Sequence, residues 1–482
     1  MTRQLSSVID GRPVEGRVGY DNVNPSDTRD VVASVAGGDA ALATAAVEAA
    51  AAAAAGWAAA SPLVRSEIVD RAGSEIVARY AELGDLLAQE EGKTLAEAQG
   101  EALRAGQMLK YAAGQALQVT GGHGPSVRPD VEVTVTRRPV GVVSLITPFN
   151  FPLAIPALKI GPALALGNAV VFKPADQVCA SGAELVDILI RAGLPPGVLN
   201  LVLGDAVATG TVLTGHPSVA AVSFTGSVPT GRRILESASA HGARVQLELG
   251  GKNPLVVLDD ADLSLAVDLA AQGGWGSTGQ RCTSSSFLVV DDGIHDRFVE
   301  ALESRRQRLT VDDARAPGVD MGPAIDDRQL QRTRGFLSVA AREGGEVHGG
   351  EVLDRPKPGF YQAPALVLDT APDHTINREE VFGPVMSVIR VSGYEEALAV
   401  ANASPYPLSA GIVTTRLATA DHFRRHSRAG MIMVNLATAG VDHHVPFGGS
   451  GASSYGPREQ GTGAWDFFTE TRTHYVASGP VA

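Results

Sequence analysis

Apolar residues recur at helical spacing through residues 39–118, with acidic and basic side chains interrupting them along 63–87 and 94–117. That period predicts a run of scaffold helices. Residues 40–60 are nearly all alanine, broken by Thr44, Glu48 and Gly56. Alanine is the strongest helix former but only weakly hydrophobic, and Asp39 offers a start signal, so a packed helix is expected there rather than a membrane span. The period then changes. Residues 126–138 alternate polar and β-branched side chains, the pattern of a strand pair with one wet face and an edge open to another subunit. From Gly141 onward, short apolar runs at 142–146, 169–172, 198–202 and 219–224 alternate with helical stretches, and similar runs follow at 287–290, 380–384, 388–391 and 431–435. Fully apolar runs of this length suit a parallel α/β sheet covered on both faces. Such sheets bind ligands at the carboxyl ends of their strands. Attention therefore falls on the loops Thr147-Pro-Phe-Asn150, Lys173-Pro-Ala-Asp176, Gly204-Asp205 and Thr225-Gly226-Ser227. The last of these enters a helix whose first amides can hold a phosphate.

Length and charge narrow the function. With 482 residues, two or three substructures are expected. Acidic side chains outnumber basic ones, 53 to 40, for a formal charge of −13 without a basic block, which argues against nucleic-acid or anionic-membrane partners. Cys179 and Cys282 are the only cysteines, so a disulfide scaffold is excluded and a reducing, cytoplasmic setting is expected. The first ten residues lack the apolar core of a signal peptide. Adjacent His443 and His444 point to opposite sides of an extended chain with no ligand cluster nearby, so no metal site is expected.

Cys282 stands out in Gly273-Gly-Trp-Gly-Ser-Thr-Gly-Gln-Arg-Cys282-Thr-Ser-Ser-Ser286, among small residues and directly after Arg281. Small neighbours let a substrate carbon approach a nucleophilic sulfur. An inert packed thiol is the competing reading, and it is the one taken for Cys179. Gly274, Gly276 and Gly279 have dinucleotide-fingerprint spacing, but they follow a helical stretch rather than a strand and are discounted as such a fingerprint.

Six segments stand in one order: Thr147-Pro-Phe-Asn-Phe-Pro152, Lys173-Pro-Ala-Asp176, Phe224-Thr-Gly-Ser227, Glu248-Leu-Gly-Gly-Lys-Asn-Pro254, Gly279-Gln-Arg-Cys282 and Glu379-Glu-Val-Phe-Gly-Pro384. In this order and spacing the chain resembles the NAD(P)-dependent aldehyde dehydrogenase superfamily over nearly its whole length. The resemblance implies Cys282 as nucleophile, the Asn150 amide with the Cys282 backbone N–H as oxyanion donors, and Glu248 as general base. For NAD or NADP it implies Lys173 and Asp176 at the adenosine ribose, Ser227 at the pyrophosphate, Glu380 on the nicotinamide ribose and Phe382 packing nearby, with Thr147, Gly204, Gly226 and Leu249 completing the contacts. Asp176 is shorter than the glutamate usual in NAD-preferring relatives, which leans towards NAD and leaves dual use open. Phe151, Arg281, Thr283 and Phe447 are the candidate substrate contacts.

The tail segments Ala437-Thr-Ala-Gly-Val-Asp-His-His-Val-Pro-Phe-Gly-Gly449 and Ser453-Ser-Tyr-Gly-Pro-Arg-Glu-Gln460, with Ser126-Val-Arg-Pro129, look like the α-ketoglutaric semialdehyde (2,5-dioxopentanoate) dehydrogenase group. Ser450-Gly451 and Phe287 depart from that group's pattern. Ser144–Leu153 and Pro162–Val171 look equally like dehydrogenases of benzaldehyde or vanillin. A non-catalytic scaffold on the same fold is the alternative of another class. The resemblance implies a Rossmann-type cofactor domain of residues 1–124 and 141–250, an α/β catalytic domain of 251–448, and a small β ribbon of 125–140 and 462–482 that joins subunits into homodimers or homotetramers.

Overall fold

Three sheets organise the chain, of which the computed structural model describes residues 2–479. The centre of the first is parallel, with Arg244–Glu248, Val219–Thr225, Val142–Ile146, Ala169–Lys173 and Leu199–Leu201 side by side in that order. The apolar runs that predicted these strands are buried because helices cover both faces: all five residues of Ala169–Lys173 are inaccessible to solvent. In register, Ile146 lies beside Lys173 and Phe224, and Thr225 beside Glu248, so four strands end at one level.

Beyond Leu199–Leu201 the sheet continues into Arg3–Ile9, Asp27–Gly37 and Val18–Asn24, which the sequence pattern did not mark. Their apolar period is diluted by buried polar side chains such as Asn22, whose amide donates to Glu90 at 2.7 Å. Four helices fill the predicted helical region: Ala40–Ala59, Pro62–Ala78, Tyr80–Glu91 and Leu95–Gln115. Asp39 caps the first by accepting from the N–H groups of Ala41 and Leu42. By length and composition that helix could cross a membrane, yet it buries Leu42, Ala43, Ala46, Val47 and Ala50 in one cluster with Val142, Val171 and Val222 of the sheet.

The second sheet places Asn253–Val257 at its centre, with Ser285–Asp291, Val385–Val391 and Ala365–Leu368 to one side and Ser409–Val413 and Met431–Val434 to the other, all parallel. Antiparallel Glu346–Gly349 closes one edge. The run 380–384, expected as a strand, is a loop. Phe382 sits at φ +60° and Pro384 lacks an N–H, so the ladder starts only at Val385. The third sheet is antiparallel, with Val131–Pro139 between Gly122–Pro125 and Thr469–Ala477. Residues 126–130, read as part of the strand pair, form its turn, with Asp130 at φ +56°.

Candidate active site

At the common level where the first sheet's parallel strands end, a cavity of about 900 Å³ opens, lined by Thr147, Lys173, Asp176, Phe224, Thr230 and Arg233 among others. Lys173 is buried and donates to Asp176 at 2.8 Å. Of the candidate cofactor residues, Thr147, Lys173 and Asp176 line this cavity, whereas Gly204, Gly226, Ser227, Leu249, Glu380 and Phe382 stand outside its lining. Gly204 has a structural reason to be glycine, since a Cβ there would lie 2.2 Å from the carbonyl oxygen of Gly38. Gly226 donates to the backbone of Glu248, Leu249 is core, and Ser227 begins the helix Val228–Ser239.

The Cys282 loop leaves the helix Leu263–Trp275 through an unusual backbone. Ser277, Thr278 and Gly279 all take left-handed φ values, 49°, 56° and 63°. Each such non-glycine residue costs on the order of 1 kcal/mol or more and persists only where surrounding contacts over-determine it. Those contacts are present. Glu97 Oε1 accepts from the Ser277 N–H at 2.7 Å, from its hydroxyl and from Arg281, while Thr278 donates to the Gly322 carbonyl at 3.1 Å. A Cβ at Gly279 would meet the Gly383 carbonyl at 2.1 Å, so the glycine there serves close packing and not a nucleotide. Cys282 itself is half-buried, and its carbonyl accepts from the Asn253 amide at 2.8 Å.

Around Cys282 the structure gathers the three candidate catalytic side chains. Asn150, buried, donates one N–H to the carbonyl of Gln280 at 2.8 Å, two residues before the thiol, which leaves its other N–H free. Glu248 ends its strand buried, accepts from the Ser454 hydroxyl at 2.6 Å, and faces Gly448, where a Cβ would stand 2.6 Å from its Oε1. Glu380 accepts from the Gly251 N–H at 2.9 Å, and Gly251 in turn packs against the Cys282 carbonyl. Phe382 stacks edge-on against Phe149, tying the 380–384 loop to the Asn150 segment.

Electrostatics follow from this burial. The Cys282 thiol is pushed up to about 12, first by burial and then by the charges of Glu380, Glu248 and Glu459. Glu248 is held well above the usual carboxylate range, again by burial first and next by Glu459, which is itself buried and paired with Lys159. Burial thus favours the protonated form of both groups.

The candidate substrate contacts divide. Phe447 joins Leu408 and Met431 in the small apolar cluster against which Cys282 packs, and Thr283 sits buried one residue beyond the thiol. Phe151 carries the Lys93 ammonium 4.2 Å above its ring. Arg281 is turned to Glu97 and the Ser277 hydroxyl, at 3.1 and 2.7 Å. Sequence reasoning gave no role to Glu97, Ser454 or Gly448, which contact the Cys282 loop or Glu248. Only Thr94-x-x-Glu97 carried a legible local signal, a capping box, and both of its bonds form.

A family model described as the aldehyde dehydrogenase family matches residues 13–474. The chain is 40% identical over 456 residues to the α-ketoglutaric semialdehyde dehydrogenase of Bacillus subtilis (strain 168), covering 94% of this chain and 93% of that one. It is 39% identical over 479 residues to a betaine aldehyde dehydrogenase of Cereibacter sphaeroides (strain ATCC 17029 / ATH 2.4.9), covering 99% and 98%. The solved betaine aldehyde dehydrogenase of Staphylococcus aureus in complex with NAD+ superposes with a TM-score of 0.96 at 31% identity, covering 99% of this chain and 95% of that chain. With the thiol, amide and carboxylate gathered at one site, these likenesses establish that the chain belongs to the aldehyde dehydrogenase family of oxidoreductases.

Proposed function

We propose that the protein oxidises an aldehyde bearing a carboxylate, 2,5-dioxopentanoate or a related semialdehyde, to the corresponding acid with NAD(P)+. The observation that carries the chemistry is the placement of Cys282 with the Asn150 amide and the raised carboxylate of Glu248. In this reading the Cys282 sulfur, its proton passed to bulk water, attacks the aldehyde carbon as thiolate. The carbonyl electron pair moves onto oxygen, and the free N–H of Asn150 stabilises that oxyanion by about 3 kcal/mol. Bound NAD(P)+ would supply the hydride acceptor for the tetrahedral carbon held on Cys282. Glu248 then takes a proton from a water that attacks the resulting Cys282 thioester, and the acid departs as the C–S bond breaks. A carboxylate with raised basicity suits that last step.

The cavity fits a dinucleotide. Thr147 Oγ1 and Thr225 Oγ1 are buried without a partner, Ser227 makes no side-chain cap to the helix it begins, and the Lys173 ammonium stands at the strand ends. Lys173 and Asp176 would take the adenosine ribose, the amides after Ser227 the pyrophosphate, and Glu380 with Phe382 the nicotinamide ribose. Asp176 favours NAD, while Arg233 and Arg328 on the same cavity wall make no ion pair among the described residues and leave NADP acceptable.

Arg104 supports the carboxylate. It is half-buried on the helix Leu95–Gln115 and makes no ion pair or side-chain hydrogen bond among the described residues. Its charge depresses the His443 imidazole, after burial. His443 belongs to the stretch whose Val441 packs, as Cys282 does, against the cluster of Leu408, Met431 and Phe447. A cation there attracts a carboxylated aldehyde and repels the trimethylammonium group of betaine aldehyde. Phe447 and Phe151 favour the second reading, an aromatic aldehyde. Reduced-cofactor formation with 2,5-dioxopentanoate, betaine aldehyde, benzaldehyde and a short aliphatic aldehyde tests the choice. The highest kcat/KM on 2,5-dioxopentanoate is expected, and a preference for betaine aldehyde or benzaldehyde overturns it.

The sheet memberships suit the division into a cofactor unit (1–124 and 141–250), a catalytic unit (251–448) and a ribbon (125–140 and 462–482), except that the strand Gly122–Pro125 belongs with the ribbon and not with the cofactor unit. The outer strand Thr469–Ala477 exposes Tyr475 and Val476, which suits pairing into a homodimer or homotetramer and is tested by mass in solution. Two unpaired thiols agree with a cytoplasmic setting.

A further inference from the structure

We infer that the first turns of the helix Leu95–Gln115, with Lys93 just before them, clamp both halves of the reaction centre: Glu97 holds the nucleophile loop, and Lys93 with Glu101 holds the Asn150 segment. The inference rests on the proposed roles of Cys282 and Asn150. Lys93 is almost inaccessible, donates to the backbone carbonyl of Asn150 at 2.7 Å, and pairs with Glu101 at 2.5 Å. Glu101, equally buried, uses its other oxygen to accept from the N–H groups of Leu153 and Ala154 at 2.9 and 3.0 Å. Phe151 lies beneath the Lys93 ammonium. The stretch 150–154 is thus gripped at both ends and in the middle by one buried ion pair.

One turn earlier, Glu97 spends Oε1 on Ser277, the first residue of the left-handed stretch, and on Arg281, just before Cys282, and spends Oε2 on Thr94. Three carboxylate and ammonium groups within nine residues therefore fix two loops that sequence places 130 residues apart, as measured from Asn150 to Gln280. Apolar packing would tolerate a slip along the loop. Hydrogen bonds to specific backbone atoms do not, and a displacement of about 1 Å in such a site costs on the order of 10²-fold in rate. Lys93, Glu97 and Glu101 are positioning residues in this scheme, since none needs to touch the substrate.

The test is a split that general destabilisation would not produce. Lys93→Met is expected to lower kcat by roughly 10²-fold, while the rate of Cys282 alkylation by iodoacetamide and the affinity for NAD stay as in the wild type. Glu97→Ala is expected to lower kcat and to change the alkylation rate as well. In an Asn150→Ala background, Lys93→Met should cost little more, because its client is already gone. Glu101→Gln, which keeps an acceptor for Leu153 and Ala154, gives the same pattern more mildly if Lys93→Met does not fold. The clamp is overturned if Lys93→Met or Glu101→Gln keeps wild-type kcat, or if the loss is undiminished in the Asn150→Ala background. Wild-type kcat in Asn150→Ala alone would instead strike the oxyanion role and leave the clamp contacts without a catalytic client.

Discussion

The cavity at the strand ends and the loop around Cys282 lie close together and are built on opposite principles. The cavity is wide, about 900 Å³, and its walls carry exposed charges such as Arg233 and Arg328 with no partner within ion-pair distance among the described residues. The Cys282 loop is strained at Ser277 and Thr278 and bonded to the part-buried carboxylate of Glu97 and to the Gly322 carbonyl. A surface that binds a large ligand gains from many modest contacts and tolerates small shifts. A surface that makes and breaks bonds gains only from groups already in place, so strain and buried charge collect there.

Substitutions can separate the two regions. The largest effect is expected for Cys282→Ala, a loss of roughly 10⁵-fold or more in turnover, with NAD still bound as measured by fluorescence titration; lost cofactor binding would mean the loop also shapes the cavity. Next comes Glu248→Gln, expected to lower steady-state turnover by roughly 10²- to 10⁴-fold while rapid mixing still shows about one reduced cofactor per site, because acylation outlives the missing base. Glu248 has a raised pKa, so its basic form is lost as pH falls through that raised value. The acid limb of kcat should then lie above the ordinary carboxylate range of about 4 to 5, and Glu248→Gln should erase it. Arg104→Gln is expected to raise KM for 2,5-dioxopentanoate by about 10-fold or more with kcat for a neutral aldehyde unchanged. An equal effect on both substrates would remove Arg104 from the carboxylate. Smallest is Asp176→Ser, expected to shift the NADP to NAD ratio of kcat/KM a few-fold, within about 10-fold, and to leave Cys282 alkylation untouched.

Legibility along the chain followed the range of the forces involved. The helices of 40–115 and the strands Val142–Ile146 and Ala169–Lys173 were readable because burial imposes a period on consecutive residues. Arg3–Ile9 and Val18–Asn24 were missed because polar side chains, Asn22 among them, are satisfied by partners far along the chain. The loop at 380–384 was misread because Phe382 takes a left-handed backbone that apolarity does not signal. Cys282, Asn150 and Glu248 were singled out as candidates through a family resemblance of ordered motifs. Glu101 and Arg104 on the helix, and Lys93 in the turn before it, had no comparable signal, since a charged residue reads as solvated until its burial is known.

By itself, the sequence determined the α/β class and the alternation of strands and helices in the central sheets. Those depend on local periodicity and on residue type. Tertiary structure alone decided that Arg281 turns to Glu97, that Gly204 serves a backbone contact, and that Lys93 reaches the Asn150 carbonyl. Each of these rests on which groups share a small volume of low dielectric, where an unpaired charge must find a partner; sequence separation carries no record of that proximity.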